Sequence, residues 1–231
     1  MNVLALETSA ETASIALLNG DGVLVREGGT PGTHARFVLP WVDEVLAESG
    51  LSLGQLDCIA FSAGPGSFTG LRLAVSVAQG LALGADLTLV AVPAPEALAL
   101  AAGDGLQLVC VDARMSEVYS GAYRVSGEEV SAMSPLRVCL PAGLPPPPGD
   151  PADWCGCGSG FALPAVQALP WLAGLRAVDA TVTAHARQIG RLGRLRFAAG
   201  EGIDAALASP LYVRDKVAQT TAERLAAGGR A

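Results

Sequence analysis

Lysine and histidine are almost missing from this chain of 231 residues: Lys216 is the only lysine, and His34 and His185 are the only histidines. The two histidines are far apart in sequence and form no His-x-x-x-His pair. A histidine-built metal site or a serine–histidine triad therefore has little to be built from. The sequence predicts no catalytic residue in this chain.

Positive charge and long apolar runs are also scarce. The formal net charge is −7 and the isoelectric point is about 4.8, which argues against a broad surface for binding nucleic-acid phosphates. No run of 18 apolar residues indicates a membrane span, and the N-terminus has no basic segment or cleavage site typical of a secretory signal. We therefore expect a cytoplasmic protein that does not bind membranes.

The five cysteines lack the spacing of a zinc site, because Cys155-Gly156-Cys157 is too tight and no second pair accompanies it. Reduced thiols in a cytosolic protein are the expected state, and we predict no metal in this chain. Apolar residues, by contrast, make up 51% of the sequence. They are sufficient for a large core.

A glycine-rich motif runs from Gly64 to Arg72 with the sequence GPGSFTGLR, between an apolar strand pattern and a long apolar helix pattern. It is not a Walker loop, because no Gly-Lys-Ser/Thr closes it, and it lacks the G-x-G-x-x-G spacing of dinucleotide folds. Three interpretations stay open: an anion site, a site for the closely approaching backbone of a partner, or a tight turn whose glycines fit between strand and helix. The candidate loop residues are Gly64, Gly66, Ser67, Thr69, Gly70 and Arg72.

The order of predicted elements indicates a mixed α/β fold. Strands at 2–6, 13–18 and 23–27 form an antiparallel meander with Asn-Gly and Asp-Gly turn signals. The elements that follow are a helix at 35–49, a strand at 57–62, a helix at 69–84, a strand at 87–92 and a helix at 94–102. A meander followed by strand–helix crossovers predicts a mixed sheet flanked by helices.

The pattern restarts near residue 106, with strands at 106–111, 117–125 and around 128–138, so we expect two related lobes at 1–103 and 104–215 and a tail at 216–231. Residues 141–151, which include four consecutive prolines, predict an extended surface loop. Residues 183–199 predict a basic amphipathic helix. We interpret its arginines as a solvated face, with an RNA-facing patch as the alternative that the net charge opposes.

Polar and glycine residues follow strands of both predicted lobes. Two-lobed nucleotide phosphotransferases bind phosphate and adenosine with residues placed in this way, whereas strand-end turns favour Asp, Ser, Thr and Gly in any protein. The first position is Glu rather than the usual Asp, so we interpret the set as a vestigial nucleotide site. Its positions are Glu7, Thr8, Ser9, Asp112, Gly156 and Gly158.

Several of these segments resemble the bacterial TsaB (YeaZ) family, which has the fold of actin, sugar kinases and Hsp70 (the ASKHA, ribonuclease H-like fold). The segments that carry the resemblance are Leu4–Ser9, Thr33-His34 with Leu39-Pro40, Gly64–Arg72, Asp112–Met115 with Glu117–Tyr119, and Pro210–Arg214. Together they extend over residues 1 to about 215.

The resemblance implies a non-catalytic scaffold or activator of the complex that makes N6-threonylcarbamoyladenosine (t6A) at tRNA position 37. It implies binding to the catalytic subunit TsaD and, with it, to the ATPase TsaE, with tRNA bound only through the complex. ATP and a metal are then expected in the partner subunits and no cofactor in this chain, and a homodimer is expected when the chain is alone. The alternative is an independent ASKHA-type small-molecule kinase with Glu7 and Asp112 holding Mg²⁺. The glycoprotease-like label of some family members finds no nucleophile or base here.

Two predicted helices supply the candidate interface. The second is apolar on more than one side, and such a helix needs a neighbour beyond its own sheet. Small residues such as Ala74, Ala78 and Gly80 permit close helix approach, and bulky apolar residues anchor interfaces. By the resemblance, both helices pair with their counterparts in TsaD. The candidate partner-binding residues are Phe37, Trp41, Val45, Leu73, Val77 and Leu81.

Overall fold

The computed structural model describes residues 1–213, and its first sheet has five strands. The strands β1 (Asn2–Glu7), β2 (Ala13–Asn19) and β3 (Gly22–Gly28) form the expected antiparallel meander, and β4 (Cys58–Gly64) and β5 (Thr88–Pro93) add to it in parallel. The spatial order is β3-β2-β1-β4-β5.

A second sheet repeats this arrangement. Its meander is β6 (Gly105–Arg114), β7 (Glu117–Ser126) and β8 (Glu129–Ala132), and β10 (Trp154–Cys157) and β11 (Ala177–Asp179) add in parallel beside β6. The third strand expected around 128–138 is split into β8 and β9 (Arg137–Cys139), both paired with β7. The predicted fold class, two mixed sheets flanked by helices, is confirmed.

Helices cover both faces of the first sheet. On one face lie α1 (Val38–Ser49) and α2 (Phe68–Ala85), packed on a cluster that includes Leu4, Ile15 and Phe61. On the other lie α3 (Ala94–Ala102) and α5 (Ala186–Ala198), and a short α4 (Pro164–Gln167) belongs to the second lobe. Helix α1 begins three residues later than predicted, because His34–Arg36 form a separate 3-10 turn.

The last described segment returns to the first lobe. Helix α5 packs on β1, β2 and β4 so closely that a methyl group on Gly190 or Gly193 would overlap the side chains of Leu18 or Ala60. Beyond α5, Ile203 bridges Leu89 of β5. This segment lies within the range 104–215 that the sequence analysis assigned to the second lobe. The predicted tail at 216–231 and Arg214 lie outside the described residues.

Three of the four arginines on α5 are paired with carboxylates of the same chain rather than solvated. Arg191 and Arg194 reach Glu128 in the β7–β8 turn, and Arg196 reaches Glu96 of α3 at 2.6 Å. Glu96 and Glu128 are distant from α5 in sequence, so the helical pattern of residues 183–199 could not reveal these ion pairs.

Helix α2 is long and apolar enough to cross a membrane by length and composition, with a mean hydropathy of 1.3. Core helices of water-soluble proteins pass the same test. Here Ala74, Ala78 and Ala82 are buried against the sheet, so packing accounts for the apolar residues on one face of α2, whereas Phe68 and Leu83 are exposed.

Candidate functional site

The glycine-rich loop joins the end of β4 to the first turn of α2 and faces the β1–β2 turn. The Ser67 backbone N–H donates to the carbonyl oxygen of Ser9 at 3.0 Å, and the Thr8 hydroxyl donates to the carbonyl oxygen of Gly70 at 2.6 Å. Ser67 also caps α2, since its Oγ accepts from the Gly70 N–H at 3.4 Å. The glycine-rich loop and the first turn of α2 are thus hydrogen-bonded to the β1–β2 turn of the same chain.

The glycines of the loop are required by this close approach. A Cβ on Gly66 would lie 2.6 Å from Ser9 Oγ, and one on Gly70 would overlap the Thr8 carbonyl oxygen. Gly64 adopts a φ of +101°, in the region that favours glycine. Of the three interpretations of the motif, the structure supports glycines that let the loop fit tightly against a neighbouring turn.

Glu7 is directed into the protein interior. Its Oε1 accepts from the backbone N–H groups of Ser9 and Ala10 and from the Ser9 hydroxyl. Burial raises the pKa of the Glu7 carboxyl, against the lowering effect of hydrogen bonds from Ser62, Ser9 and Ala10. The residue ties the β1–β2 turn together and lies outside the lining of the cleft described next.

A cleft of about 820 Å³ separates the two lobes. Its lining is mainly apolar, with a few polar residues at the turns of both sheets that include Ser9, Ser67, Asp112 and Ser159. Asp112 Oδ1 accepts from the Arg114 N–H at 2.8 Å, and Arg114 Nη2 lies 2.7 Å from Glu11 Oε1 of the first lobe. One oxygen of the Asp112 carboxylate thus bonds the chain's own backbone, and the other lies 3.4 Å from the Arg114 guanidinium.

The remaining candidate nucleotide positions serve packing. A Cβ on Gly158 would lie 2.5 Å from the Cys110 carbonyl oxygen, and one on Gly156 would lie 2.8 Å from the Phe161 ring. The structure thus brings Ser9 and Asp112 to one cleft and places the side chain of Glu7 in the core. Within residues 1–213 no group of three or more His, Cys, Asp or Glu side chains forms a metal site, and burial raises the pKa of the Cys110 thiol to about 12.

The candidate partner residues divide between surface and core. Phe37 and Trp41 are half-buried and stacked, with ring centroids 5.2 Å apart, and Leu73, Val77 and Leu81 are half-buried on α2. Val45, by contrast, is fully buried in the core. It is therefore not available to a partner in this conformation.

Helix α2 exposes a stripe that sequence reasoning found only in part. The stripe contains Phe68, Arg72, Ser76, Gly80 and Gly84, which follow one another at four-residue spacing and are all exposed. Apart from the backbone of α2 itself, no atom of residues 1–213 lies within 4 Å of the place where a Cβ on Gly80 or Gly84 would be. Leu83, beside the stripe, is 67% exposed.

The two alanines suggested for close helix approach, Ala74 and Ala78, are buried against the first sheet instead. Gly80 is the member of that set on the surface. The sequence signal for such a position is a glycine inside a predicted helix. Glycine destabilises a helix relative to alanine, so a glycine there indicates that a close contact compensates for the loss.

The comparisons with known proteins agree with this architecture. A family model described as TsaD, tRNA N6-adenosine threonylcarbamoyltransferase, matches residues 27–168. The Escherichia coli K12 protein named tRNA threonylcarbamoyladenosine biosynthesis protein TsaB is 33% identical over 94% of this chain and 96% of its own length. A protein of the same name from Haemophilus influenzae is 46% identical, and that match spans 52% of this chain and 52% of the relative.

Two solved structures from Pseudomonas aeruginosa are also similar. One, described as YeaZ, superposes with a TM-score of 0.84 at 37% identity and covers 91% of this chain and 99% of that one. The other, described as having similarity to peptidase YEAZ, has a TM-score of 0.86 at 37% identity and covers 92% and 99% of the two chains.

Proposed function

This chain belongs to the TsaB family of tRNA threonylcarbamoyladenosine biosynthesis proteins, and from this premise we propose that it is a non-catalytic subunit that binds and supports the threonylcarbamoyltransferase TsaD. TsaE joins through the same complex, which supplies the ATP and metal sites and the contacts to tRNA. The proposal places the protein in the cytoplasm. The binding surface is the exposed side of α1 and α2.

The observation that carries the proposal is the exposed glycine Gly80 in the interior of α2. A glycine there costs about 1 kcal/mol relative to alanine, and no atom of the described chain approaches its Cβ position within 4 Å. Nothing within residues 1–213 requires a residue so small. A partner helix that packs closely at this point accounts for the glycine, and Leu83 and Val77 of the same helix supply apolar contacts beside it.

An independent kinase is the second candidate, and the cleft between the lobes is its support. Against it, Glu7 is buried, Asp112 is engaged by Arg114, and the glycine loop is filled by the chain's own turn. Binding of ATP and Mg²⁺ by the chain alone, abolished by Asp112→Asn, would favour the kinase and contradict the scaffold proposal.

The test of the interface is Gly80→Leu, measured by light scattering on this protein mixed with TsaD from the same source. Leucine is compatible with the helix, and its side chain would occupy the space beside position 80 where the partner helix is proposed to pack. We therefore expect a one-to-one heterodimer with the unchanged protein and at least tenfold weaker association with the variant. Gly143→Leu is the matched control, because Gly143 is also exposed with open space at its Cβ but lies in the second lobe. Equal binding by Gly80→Leu and the unchanged protein would contradict the proposed surface.

The protein alone is the second sample in that experiment. An exposed apolar helix face associates with any suitable cover, so a homodimer is expected that Gly80→Leu also weakens. A homodimer insensitive to this variant would use another surface.

A further inference from the structure

Four residues form a compact patch at the rim of the cleft, where α2 begins and the described chain ends. The exposed fractions of Phe68, Leu211 and Tyr212 are 46%, 41% and 49%, and Arg72 completes what we call the rim patch. The Phe68 and Tyr212 ring centroids are 6.3 Å apart, and the Arg72 guanidinium carbon lies 4.0 Å from the Phe68 ring centroid. The Leu211 N–H donates to the Ala63 carbonyl oxygen at 2.7 Å and holds the segment in place.

Arg72 forms no ion pair within residues 1–213, and it differs from the other unpaired arginines there, such as Arg124, in lying over an aromatic ring. Five arginines between residues 1 and 213 form ion pairs: Arg26, Arg114, Arg191, Arg194 and Arg196. Arg72 instead lies over an aromatic ring. A guanidinium held on a ring keeps N–H groups available for a carboxylate and loses less side-chain entropy when it binds one.

The rim patch continues the exposed stripe of α2. Arg72 is one helical turn from Ser76 and two turns from Gly80, so a partner helix packed at Gly80 passes within reach of it. Tyrosine, arginine and phenylalanine together have the composition of an interface hot spot. Tyr212 lies on a segment that contributes to this patch although it is about 140 positions from Arg72 in sequence.

The charge around the patch favours a protein ligand over RNA. Glu11 and Asp112 line the same cleft as Phe68 and Tyr212, and the whole chain carries a net charge of −7. A phosphodiester backbone requires clustered lysine and arginine, and the rim patch offers a single arginine. One preorganised cation with aromatic neighbours suits a single carboxylate on an apolar protein surface.

We infer that Arg72, supported by Phe68 and Tyr212, binds an Asp or Glu side chain of the TsaD subunit and thereby fixes the register of α2 on its partner. This inference rests on the proposed function. It adds that the partner group is a carboxylate and that the segment 211–213 supports Arg72 by placing Tyr212 beside Phe68.

The experiment measures the affinity for TsaD from the same source by calorimetry, for the unchanged protein and for Arg72→Glu, Arg72→Lys, Tyr212→Ala and Arg124→Glu. We expect Arg72→Glu to bind at least tenfold more weakly and Arg72→Lys to lose less. Tyr212→Ala should also weaken binding, because Phe68 and Arg72 lose their neighbour. Arg124→Glu is the matched control, an exposed arginine on β7 away from α2, and should bind normally.

Salt and charge reversal separate an ion pair from lost packing. The affinity of the unchanged protein for TsaD should fall as NaCl rises from about 0.05 to 0.5 M, because salt screens the attraction between exposed charges. The affinity of Arg72→Ala should depend less on salt. An Asp→Arg or Glu→Arg variant of TsaD, drawn from a scan of its exposed carboxylates, should restore binding to Arg72→Glu.

Each outcome is informative. If the unchanged protein binds TsaD and Arg72→Glu binds equally well, the inference is overturned while the proposed function stands. If the unchanged protein does not bind TsaD, the proposed function fails first. If Arg72→Glu reduces binding of an isolated anticodon stem–loop RNA to the complex without changing TsaD affinity, the patch contacts RNA and our inference is wrong.

Discussion

At the scale of single residues, the polar positions that suggested a nucleotide site serve the structure of the turns. Glu7 accepts three hydrogen bonds from the β1–β2 turn, and Asp112 accepts two from Arg114 at the end of β6. A carboxylate that satisfies backbone N–H groups in a tight turn stabilises the fold. The same residue types at strand ends would be needed for a phosphate site, so the residue types alone did not distinguish the two roles.

The buried Glu7 carboxyl gives a pH-dependent stability. Its pKa in the folded protein is raised above the ordinary value of 4.5, so the folded state binds this proton more tightly than the unfolded chain does. The stabilisation is therefore complete below about pH 4.5 and is lost as the pH rises through the raised pKa. We expect Glu7→Gln, which cannot titrate, to gain stability relative to the unchanged protein as the pH rises from 4.5 to 7.

Urea unfolding of both proteins at several pH values in that window checks this prediction. A difference in unfolding free energy that stays constant with pH would show that the pKa of Glu7 is not raised. Glu96→Gln is a useful comparison, because burial also raises the pKa of Glu96 whereas Arg196 opposes that effect.

At the scale of elements, α2 shows that one residue type has opposite roles within a single helix. Gly70 faces the chain's own Thr8 carbonyl, whereas Gly80 faces open space. Both are glycines in an apolar helix, and the helical periodicity treats them alike. What approaches each one decides its role.

We predict stability changes of opposite sign for two alanine substitutions in α2. Gly70→Ala places a methyl group on the Thr8 carbonyl and should cost about 1–3 kcal/mol. Gly80→Ala meets no atom and should stabilise the monomer by up to about 1 kcal/mol through helix propensity. Urea unfolding at a protein concentration low enough to keep the chain monomeric measures both. A destabilised Gly80→Ala monomer would mean that the space beside Gly80 is filled by this chain.

At the scale of the whole molecule, the two lobes share one core. Val3 of the first sheet, Leu98 of α3, Ile189 of α5 and Val109 of the second sheet belong to the same buried cluster. Interiors packed in this way resist relative displacement. The shared cluster therefore favours a fixed arrangement of the two lobes.

Two ion pairs should contribute very differently to this assembly. Arg196 and Glu96 join α5 to α3 with side chains only 23% and 18% exposed, whereas Arg114 and Glu11 join the lobes at the cleft rim with 72% and 65% exposed. We expect Arg196→Ala to cost about 2–3 kcal/mol, because it leaves a half-desolvated carboxylate without a partner. Arg114→Ala should cost less than about 1 kcal/mol.

Chemical unfolding of the two variants beside the unchanged protein tests the contrast. Equal losses would show that the pair between α5 and α3 is no better protected from water than the pair at the rim.

Much of the fold could be predicted because its signals are local. Alternating and helical periodicity, together with the Asn-Gly and Asp-Gly turns, located β1 to β7 and the helices α1, α2, α3 and α5 to within a few residues, with Ala94–Ala102 matching at both ends. Strand β11 and the short α4 were not predicted. The repeated meander also indicated two related lobes. The resemblance carried by Gly64–Arg72 and Asp112–Met115 identified the family, which whole-chain similarity confirms.

Tertiary structure alone decided which surfaces these elements leave free. The return of α5 to the first sheet, the burial of Val45 and the carboxylate partners of Arg194 and Arg196 all depend on residues distant in sequence. The glycine loop was open to three interpretations until the β1–β2 turn was found packed against it. A local pattern reports how a segment folds, but the role of each side chain is set by what the rest of the chain brings within contact distance.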